Sequence, residues 1–406
     1  MPRMTKALVL LPVLVAFGTA AGQSSAHFEV PRAPVLTDEV VPIAISGLTR
    51  GHPVTITLRG LAFVSRAVFV PDSTGRVDLA RMAPKSGYDG VHPMGLFWFA
   101  KRESEAAPRE PVAVRNQPPE VWRLTAEQDG AVVATDTVLR RAVAPDVRIR
   151  PLRESGLFGA VYQPPGDEPR PAVLVLGGSE GGLPLALAAP GGLASRGYVV
   201  LSLAYFGRNG LPPELRDIPL EYFKRALDWL AVQPFVDSTR IAVMGASRGA
   251  EAALLIGSTY PQVHAVIATS PSNVVVASCC SDRFADAWTL NGSPVRRAEI
   301  PVENIRGPVL LISGRDDGVW PSTQSAESIV RRLKEHHFAH PVTNVSFPNA
   351  GHSLIRPHSS TMEINSRRHP LTGRIVHAGG TPLGTALARE AAWTSVLDFL
   401  SAFAAR

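Results

Sequence analysis

The chain has 406 residues, 45% of them hydrophobic and 19% charged, a balance that excludes an intrinsically disordered protein. This length predicts two domains, because single hydrophobic cores stop growing at about 250–300 residues. The net charge of +6 comes from basic and acidic residues spread along the chain, with no run of five basic residues and no basic–aromatic interleaving. Nucleic-acid binding therefore has little support.

Residues 1–22 have the pattern of a secretory signal peptide. Arg3 and Lys6 give a positive start, and an almost purely apolar run and several small residues follow. We expect cleavage between Ala20 and Gln23, which makes the mature protein secreted or periplasmic. The apolar run is shorter than the ~20 residues that a membrane span needs, so no stable span is predicted after cleavage.

Residues 26–147 are predicted to form a small β-sandwich domain of Ig-like size. The run Val54–Leu58 alternates β-branched and other residues, and the run from Ala62 to Val70 is similar. Gly, Pro, Asp and Asn separate such runs at close intervals, which is typical of turns between short strands. The segment contains no cluster of Ser, His and Asp that suggests catalysis.

Residues 148–406 are predicted to form an α/β domain with a mostly parallel sheet. Short, continuous apolar runs are typical of buried strands, and they occur at 171–176, 198–203, 241–244, 265–269 and 309–313. Helical spacing of apolar residues separates them, for example over residues 220–231, and a last helix is expected at about 386–403. This alternation favours a sheet covered by helices on both faces.

The sequence Gly245-Ala246-Ser247-Arg248-Gly249 matches the G-x-S-x-G pattern of a nucleophile elbow. A buried strand precedes it and a helix-forming run follows it, as the α/β-hydrolase fold requires. The glycines matter because the turn is too sharp for Cβ atoms near the serine. We therefore predict an α/β-hydrolase with Ser247 as nucleophile, rather than an ordinary Gly-rich turn.

In this fold an acid and then a histidine follow the serine along the chain. Asp316 and Asp317 leave the carboxyl end of a predicted buried strand, which is where an orienting carboxylate belongs. Asp317 is the first choice and Asp316 the second, because G-x-x-D after this strand is the commoner arrangement. The alternative is that both aspartates only cap the helix expected near Ser322.

His352 is the predicted general base. It lies in a turn just after a shorter predicted strand from Val342 to Phe347, 35 residues after Asp317, and His358 is the second choice. A serine hydroxyl needs such a base because it is a poor nucleophile until its proton is taken.

The Gly-rich segment Gly177–Gly182 follows a buried strand and is predicted to supply part of an oxyanion hole. One donor is expected to be the backbone N–H of Arg248, and the other an N–H of Gly178, Ser179 or Glu180. A phosphate-binding loop is the alternative, but the segment lacks the spacings of such loops.

No metal site and no organic cofactor are predicted. The two cysteines, Cys279 and Cys280, are adjacent, so their Cα atoms lie closer than ordinary disulfides allow. Free thiols are therefore favoured over a strained bridge, and no further ligands at metal-site spacing accompany them.

Several motifs in order resemble the family of acyl-coenzyme A thioesterases and bile acid-coenzyme A:amino acid N-acyltransferases. They include residues 38–48, 93–98, 201–206, 219–223, 314–317, 350–352, 377–380 and 391–393. The family's pattern matches at Ser247, Asp317 and His352. The resemblance implies hydrolysis of fatty acyl-coenzyme A, and serine rather than the cysteine of the transferase branch favours water as acceptor. Arg248 replaces an apolar residue of the mammalian thioesterases.

Three other functions fit the same residues less well. A secreted carboxylesterase or peptidase would use the same triad on another acyl substrate, and an acyltransferase would pass the acyl group to an amine. A hydrolase that has lost activity could instead carry the β domain as a binding module. The acyl-chain length and the oligomeric state cannot be predicted from these patterns.

Overall fold

The protein is described by a computed structural model over residues 26–103, 118–183, 189–278, 285–296 and 298–405. The predicted signal peptide and the adjacent Cys279 and Cys280 lie outside these ranges, so export and free thiols stay predictions. Within the described ranges, no helix is long and apolar enough to cross a membrane.

The described residues of the amino-terminal part form nine strands and one short helix, α1 (Gly95–Trp98). The strands are β1 (His27–Glu29), β2 (Val35–Leu36), β3 (Ala44–Ser46), β4 (Val54–Gly60), β5 (Phe63–Phe69), β6 (Val77–Asp78), β7 (Lys101–Arg102), β8 (Glu120–Gln128) and β9 (Ala131–Arg141). They form two sheets, ordered β1-β3-β6 and β2-β9-β8-β4-β5-β7. Side chains from both sheets share one core, as the predicted sandwich requires.

Strand β4 shows why this sequence forms a half-buried sheet. Val54, Ile56 and Leu58 are fully buried, whereas Thr55 and Thr57 between them keep contact with solvent. Successive side chains of a strand point to opposite faces, so this alternation buries one face only. The predicted strands are therefore present here, although the Ig-like assignment and the domain limits stay predictions.

The rest of the chain surrounds one eight-stranded sheet. The strands of the described residues in this part are β10 (Arg148–Leu152), β11 (Phe158–Gln163), β12 (Arg170–Leu176), β13 (Val199–Ala204), β14 (Ile218–Pro219), β15 (Val236–Ala246), β16 (Ala265–Thr269), β17 (Trp288–Leu290), β18 (Ser293–Val295), β19 (Val309–Gly314), β20 (Val342–Phe347), β21 (Arg367–Arg368) and β22 (Ile375–Val376). Two smaller sheets, β14-β17-β18 and β21-β22, lie outside the large one. The large sheet has the order β10-β11-β13-β12-β15-β16-β19-β20. Its last six strands are parallel, which confirms the predicted α/β-hydrolase architecture.

Helices cover both faces of this sheet. They are α2 (Ala189–Ala194), α3 (Leu220–Ala231), α4 (Arg248–Thr259), α5 (Ser322–Glu335) and α6 (Pro382–Ala404). Along β12, Leu174 and Leu176 pack with α3, α4 and α5, whereas Val173 and Val175 pack with α2 and α6. Each strand residue is therefore buried on one side or the other, which explains the continuous apolar runs.

The last helix begins earlier than the apolar pattern predicts. Thr381 caps it by accepting a hydrogen bond from the N–H of Gly384 at 3.0 Å, and Pro382 occupies the first turn. Proline is well tolerated there because its missing N–H would have no partner within the helix. The start of α6 is therefore set by the cap at Thr381 and not by the first buried apolar residue of the helix.

Polar contacts join the β domain to the hydrolase domain. Oδ2 of Asp38 accepts hydrogen bonds from Nη1 of Arg196 at 2.6 Å and from Nε1 of Trp393 at 2.8 Å. The N–H of Thr361 donates to the carbonyl of Trp98 at 2.9 Å. These contacts hold the β domain against α6 and against the loop that follows His352.

Candidate active site

Ser247 lies in a sharp turn between β15 and α4. Its φ and ψ are 57° and −120°, and its N–H donates to the carbonyl of Thr269 at 2.9 Å. A Cβ added to Gly245 would lie 1.9 Å from the carbonyl oxygen of Gly249, and one added to Gly249 would lie 2.3 Å from that of Gly177. Only glycine fits at both positions, as the nucleophile-elbow pattern predicts.

His352 and Asp317 lie at the same edge of the sheet as Ser247. They follow β20 and β19, and the carboxyl ends of parallel strands meet at one edge. Nδ1 of His352 is 2.8 Å from Oδ2 of Asp317. The side chain of Asp317 is only 2% exposed and that of His352 11% exposed, so water competes little for this contact.

Three donors from the following turn fix the carboxylate of Asp317. The N–H groups of Val319 and Trp320 donate to Oδ1 at 2.9 and 3.2 Å. The hydroxyl of Ser322 donates to Oδ2 at 2.6 Å. Asp317 therefore contacts both the start of α5 and the imidazole of His352. The predicted orienting role and the alternative of a contact with the helix start are thus compatible.

Other contacts hold the ring and backbone of His352. The indole of Trp320 meets the imidazole edge to face, with centroids 5.6 Å apart, and its Nε1 donates to the carbonyl of Ser270 at 3.1 Å. The backbone N–H of His352 donates to the carbonyl of Ala378 at 2.7 Å. Trp320 belongs to no recognisable sequence motif, so sequence analysis could not predict its contact with His352.

The structure places Ser247 and His352 on the wall of one cavity. Within the described ranges, no hydrogen bond joins the serine hydroxyl to the imidazole. With Nδ1 directed at Asp317, Nε2 is the ring nitrogen that this contact leaves open. In enzymes without bound substrate such catalytic hydrogen bonds are often long or poorly aligned.

The two second-choice residues lie in different surroundings. Asp316 is exposed, and no hydrogen bond joins it to His352 in the described structure. His358 is buried, with its ring stacked on Trp98 at a centroid distance of 6.4 Å. Burial, with a smaller effect from the charge of Arg140, lowers the pKa of His358 to about 4. A neutral ring packed against the β domain suits a structural role.

Two of the predicted oxyanion residues, Arg248 and Gly178, adjoin Ser247. Arg248 begins α4, where the first N–H groups of a helix have no acceptor within the helix. A Cβ added to Gly178 would lie 3.3 Å from Cβ of Ser247, so this backbone passes close to that side chain. The hydroxyl of Ser179 is 3.0 Å from Nε2 of His369. Sequence reasoning missed His369, because its partner is 190 residues away.

The side chain of Arg248 is buried beneath the elbow. It is 3% exposed and pairs with Glu251, which is fully buried, at an N–O distance of 2.7 Å. Oε1 of Glu251 also accepts from Nε1 of Trp288 at 2.7 Å and from the N–H of Val276 at 3.1 Å. Burial raises the pKa of Glu251 to about 7, while Arg248 and the hydrogen bonds oppose this rise.

The cavity has a volume of about 920 Å³ and lies between the two domains. Phe63, Phe97 and Trp122 contribute apolar wall from the β domain to the cavity that Ser247 and His352 also line. Among the described lining residues, eight are arginines and three are glutamates. Such a lining suits a substrate with an apolar part and a negatively charged part. No cluster of three or more His, Cys, Asp or Glu in the described ranges could hold a metal ion.

Comparison with known families gives matches along most of the chain. Residues 38–154 match the family described as "Acyl-CoA thioester hydrolase/BAAT N-terminal region". Residues 218–286 and 282–405 match "BAAT / Acyl-CoA thioester hydrolase C terminal". Both halves of the molecule, including the segments that carry Ser247, Asp317 and His352, therefore match one family.

Curated relatives match over nearly their whole length. Acyl-coenzyme A thioesterase 1 of Mus musculus is 30% identical over 396 residues, covering 89% of this chain and 93% of the relative. Acyl-coenzyme A amino acid N-acyltransferase 1 of Mus musculus is 30% identical over 404 residues, covering 90% and 94%. A solved structure, a dienelactone hydrolase-like promiscuous phosphotriesterase from metagenomic libraries, aligns at 17% identity with a TM-score of 0.45, covering 64% and 99%. This chain belongs to the acyl-CoA thioester hydrolase/BAAT family.

Proposed function

We propose that this α/β-hydrolase cleaves acyl-coenzyme A to a free acid and coenzyme A, with Ser247 as nucleophile and His352 and Asp317 as base and orienting acid. One observation carries the proposal. Ser247, raised on a strained elbow, shares a cavity with an imidazole whose other nitrogen is held by a buried carboxylate at 2.8 Å. The family to which the chain belongs supplies the substrate class.

In the proposed mechanism, Oγ of Ser247 attacks the thioester carbonyl while Nε2 of His352 takes its proton. The backbone N–H of Arg248, with one from Gly178 or Ser179, would stabilise the oxyanion of the tetrahedral intermediate. The thiol leaves with the proton returned by His352, and an acyl-enzyme forms. Water then attacks the acyl-enzyme with His352 again as base, which releases the acid and restores the serine.

The residue at position 247 bears on the choice between hydrolysis and acyl transfer. Both activities occur in the names of the relatives, which are thioesterases and an N-acyltransferase. Serine at position 247 would give an oxygen ester as intermediate, which water cleaves readily with base assistance. We therefore favour water over an amine as the acceptor.

We also propose that the mature chain acts outside the cytosol, in keeping with the signal-peptide pattern of residues 1–22. Coenzyme A thioesters are scarce there, so simple esters belong in the same substrate panel. Mass spectrometry of the exported protein should find a new amino terminus between Ala20 and Gln23. Retention of Met1 in a cytosolic fraction would contradict export without affecting the proposed chemistry.

The decisive test is Ser247→Ala, assayed by release of free thiol from acyl-coenzyme A. Loss of the nucleophile should reduce turnover by ~10⁴–10⁶-fold. Ser293→Ala is the matched control, because Ser293 is exposed on β18. The turnover of this variant should equal that of the parent chain. Near-normal turnover by Ser247→Ala would refute the proposal, and a wide preference of the parent chain for p-nitrophenyl esters would replace the thioester by an ester.

A further inference from the structure

Several arginines in the cavity wall have partners within the protein. Arg102 pairs with Glu363 at 3.1 Å. Arg389 donates from Nε to the carbonyl of Ser353 at 2.8 Å and from Nη1 to oxygens of Ser359 and Ser360. Contacts of this kind hold the loop after His352 in place, so these arginines need no ligand to satisfy them.

Arg356 differs from these arginines. It lines the same cavity as Ser247, four residues after His352. Within the ranges that the structure describes, its guanidinium makes no hydrogen bond and no ion pair. Burial, with a further effect from the neighbouring charge of Arg367, lowers the pKa of Arg356 to about 10, and Glu180 opposes this. The guanidinium therefore stays charged at neutral pH, in surroundings where an unpaired charge is costly.

Three observations place Arg356 in the same part of the cavity as Ser247. Glu180 lies close enough to Arg356 to affect its pKa. A Cβ added to Gly178 would lie 2.8 Å from Oε2 of Glu180 and 3.3 Å from Cβ of Ser247. Glu180 and Ser247 thus adjoin the same glycine, and Arg356 lines the same cavity as both.

We propose that Arg356, with Arg367 beside it, binds a negatively charged oxygen group of the substrate, either a carboxylate on the acyl group or a phosphate on the leaving group. The inference rests on the proposed thioester hydrolysis and specifies its substrate. A guanidinium forms two parallel hydrogen bonds with either group, which makes arginine the usual residue for such recognition. The competing explanation is that Arg356 only offsets the charge of Glu180 beside the oxyanion loop.

Four thioesters separate these possibilities. Glutaryl and pentanoyl groups differ by a terminal carboxylate, and each is joined to coenzyme A, which carries phosphates, or to N-acetylcysteamine, which carries none. The preference is the kcat/KM of a charged substrate divided by that of its uncharged counterpart, either glutaryl over pentanoyl or coenzyme A over N-acetylcysteamine. In Arg356→Gln one of these ratios should fall by ~10–100-fold, the value of a charge-assisted hydrogen bond. Arg356→Lys should restore part of it. Arg331→Gln removes a charge from the exposed face of α5, outside the cavity, and should leave the ratio nearly unchanged.

The pattern of losses identifies the bound group. A loss confined to glutaryl substrates indicates a carboxylate, and one confined to coenzyme A substrates indicates a phosphate. An equal loss on all four, the uncharged pentanoyl N-acetylcysteamine included, would overturn the proposal in favour of the role beside Glu180. An unchanged ratio would overturn it as well. A parent chain that cleaves none of the four contradicts the proposed function instead.

A second measurement needs no turnover. Glutarate or coenzyme A should protect Ser247 from a fluorophosphonate label. The ligand concentration needed for protection should be at least ~10-fold lower for the parent chain than for Arg356→Gln. Labelling without ligand shows that the variant is folded around Ser247, and Arg356→Lys takes its place if the glutamine variant does not label. Equal protection of parent and variant would count against the subsite even if every thioester were a poor substrate.

Discussion

Nδ1 of His352 lies 2.8 Å from Oδ2 of Asp317, and three donors of the next turn hold that carboxylate in place. The orientation of the imidazole is therefore set by the chain that leaves β19 rather than by the strand that precedes the histidine. A carboxylate at Nδ1 favours the tautomer with a proton on that nitrogen. Nε2 is then free to act as a base toward a hydroxyl in the same cavity.

Replacing Asp317 by Asn should remove this control of the tautomer. The amide can donate to Nδ1, which favours the tautomer with a proton on Nε2 and so blocks the base. We expect kcat for thioester cleavage to fall by about 10³–10⁴-fold with little change in KM, since the effect of such a substitution in another triad is of that size. Steady-state kinetics with a thiol-release assay measures both constants.

Asp316→Asn provides the matched control for this prediction. Asp316 is the neighbouring residue, carries the same charge and is exposed. Its replacement should leave kcat close to that of the parent chain. If the two variants lost activity to the same extent, or if Asp316→Asn were the worse, the assignment of the orienting acid to Asp317 would be wrong.

The buried pair Arg248–Glu251 should be important for stability. Both side chains are almost completely buried, and Arg248→Met would leave the carboxylate of Glu251 without its cation. We expect the free energy of unfolding to fall by about 3–5 kcal/mol near pH 8. The double variant Arg248→Met/Glu251→Leu should recover much of this loss, because two apolar side chains need no partner. Denaturant titration of the three proteins measures the values.

The pKa of Glu251 gives this loss a pH dependence. Its folded-state pKa of about 7 exceeds the ordinary value of 4.5, so protonation of Glu251 favours the folded state. That contribution is complete below about pH 4.5 and is lost as the pH rises through about 7. Without Arg248 the pKa should rise further, so Arg248→Met should lose less stability near pH 5 than near pH 8. Equal losses at both values would contradict a buried, unpaired carboxylate.

The positions of Ser247, Asp317 and His352 could be predicted because each follows the carboxyl end of a parallel strand. A strand can be recognised from a local apolar run, and the chain order of the fold then limits the choice. The same holds for the sheet itself, whose strands are buried on both faces and so leave continuous runs in the sequence.

The remaining parts of the site could not be predicted in this way. His369 reaches Ser179 across 190 residues, and no local pattern marks either as a partner of the other. Arg248 is charged, which favours the surface, yet it is buried because Glu251 and the aromatic face of Trp288 accompany it. Such placements depend on tertiary contacts, which a pattern of residue types along the chain does not contain.

His369 is expected to act as a positioning residue for the oxyanion loop. Its Nδ1 accepts from the N–H groups of Leu371 and Thr372 at 3.3 Å, which leaves the proton on Nε2 to be donated to Ser179 at 3.0 Å. Burial lowers the pKa of His369, while Glu180 opposes this, so the ring should be neutral at neutral pH. His369→Ala should lower kcat by ~10-fold and change KM little, less than loss of an oxyanion donor itself.

Two variants test whether this effect depends on the hydrogen bond. His369→Gln retains an amide donor and should recover part of kcat, whereas a ring that served only for packing would gain nothing from it. His336→Ala is the control for a general loss of histidine, since His336 is exposed at the end of α5. A fall in kcat/KM that came wholly from KM would assign His369 to substrate binding instead.

Asp38 should be important for holding the two domains together. Its side chain is 2% exposed and its Oδ2 accepts from both Arg196 and Trp393, so Asp38→Ala would leave a buried indole N–H unsatisfied. We expect a loss of about 2–4 kcal/mol in the free energy of unfolding, combining an unpaired donor with a broken, mostly buried ion pair. Arg32→Ala breaks the exposed pair with Asp136 and should cost less than about 1 kcal/mol. Denaturant titration compares the two, and a similar small loss for both would show that the contact of Asp38 adds little to the domain interface.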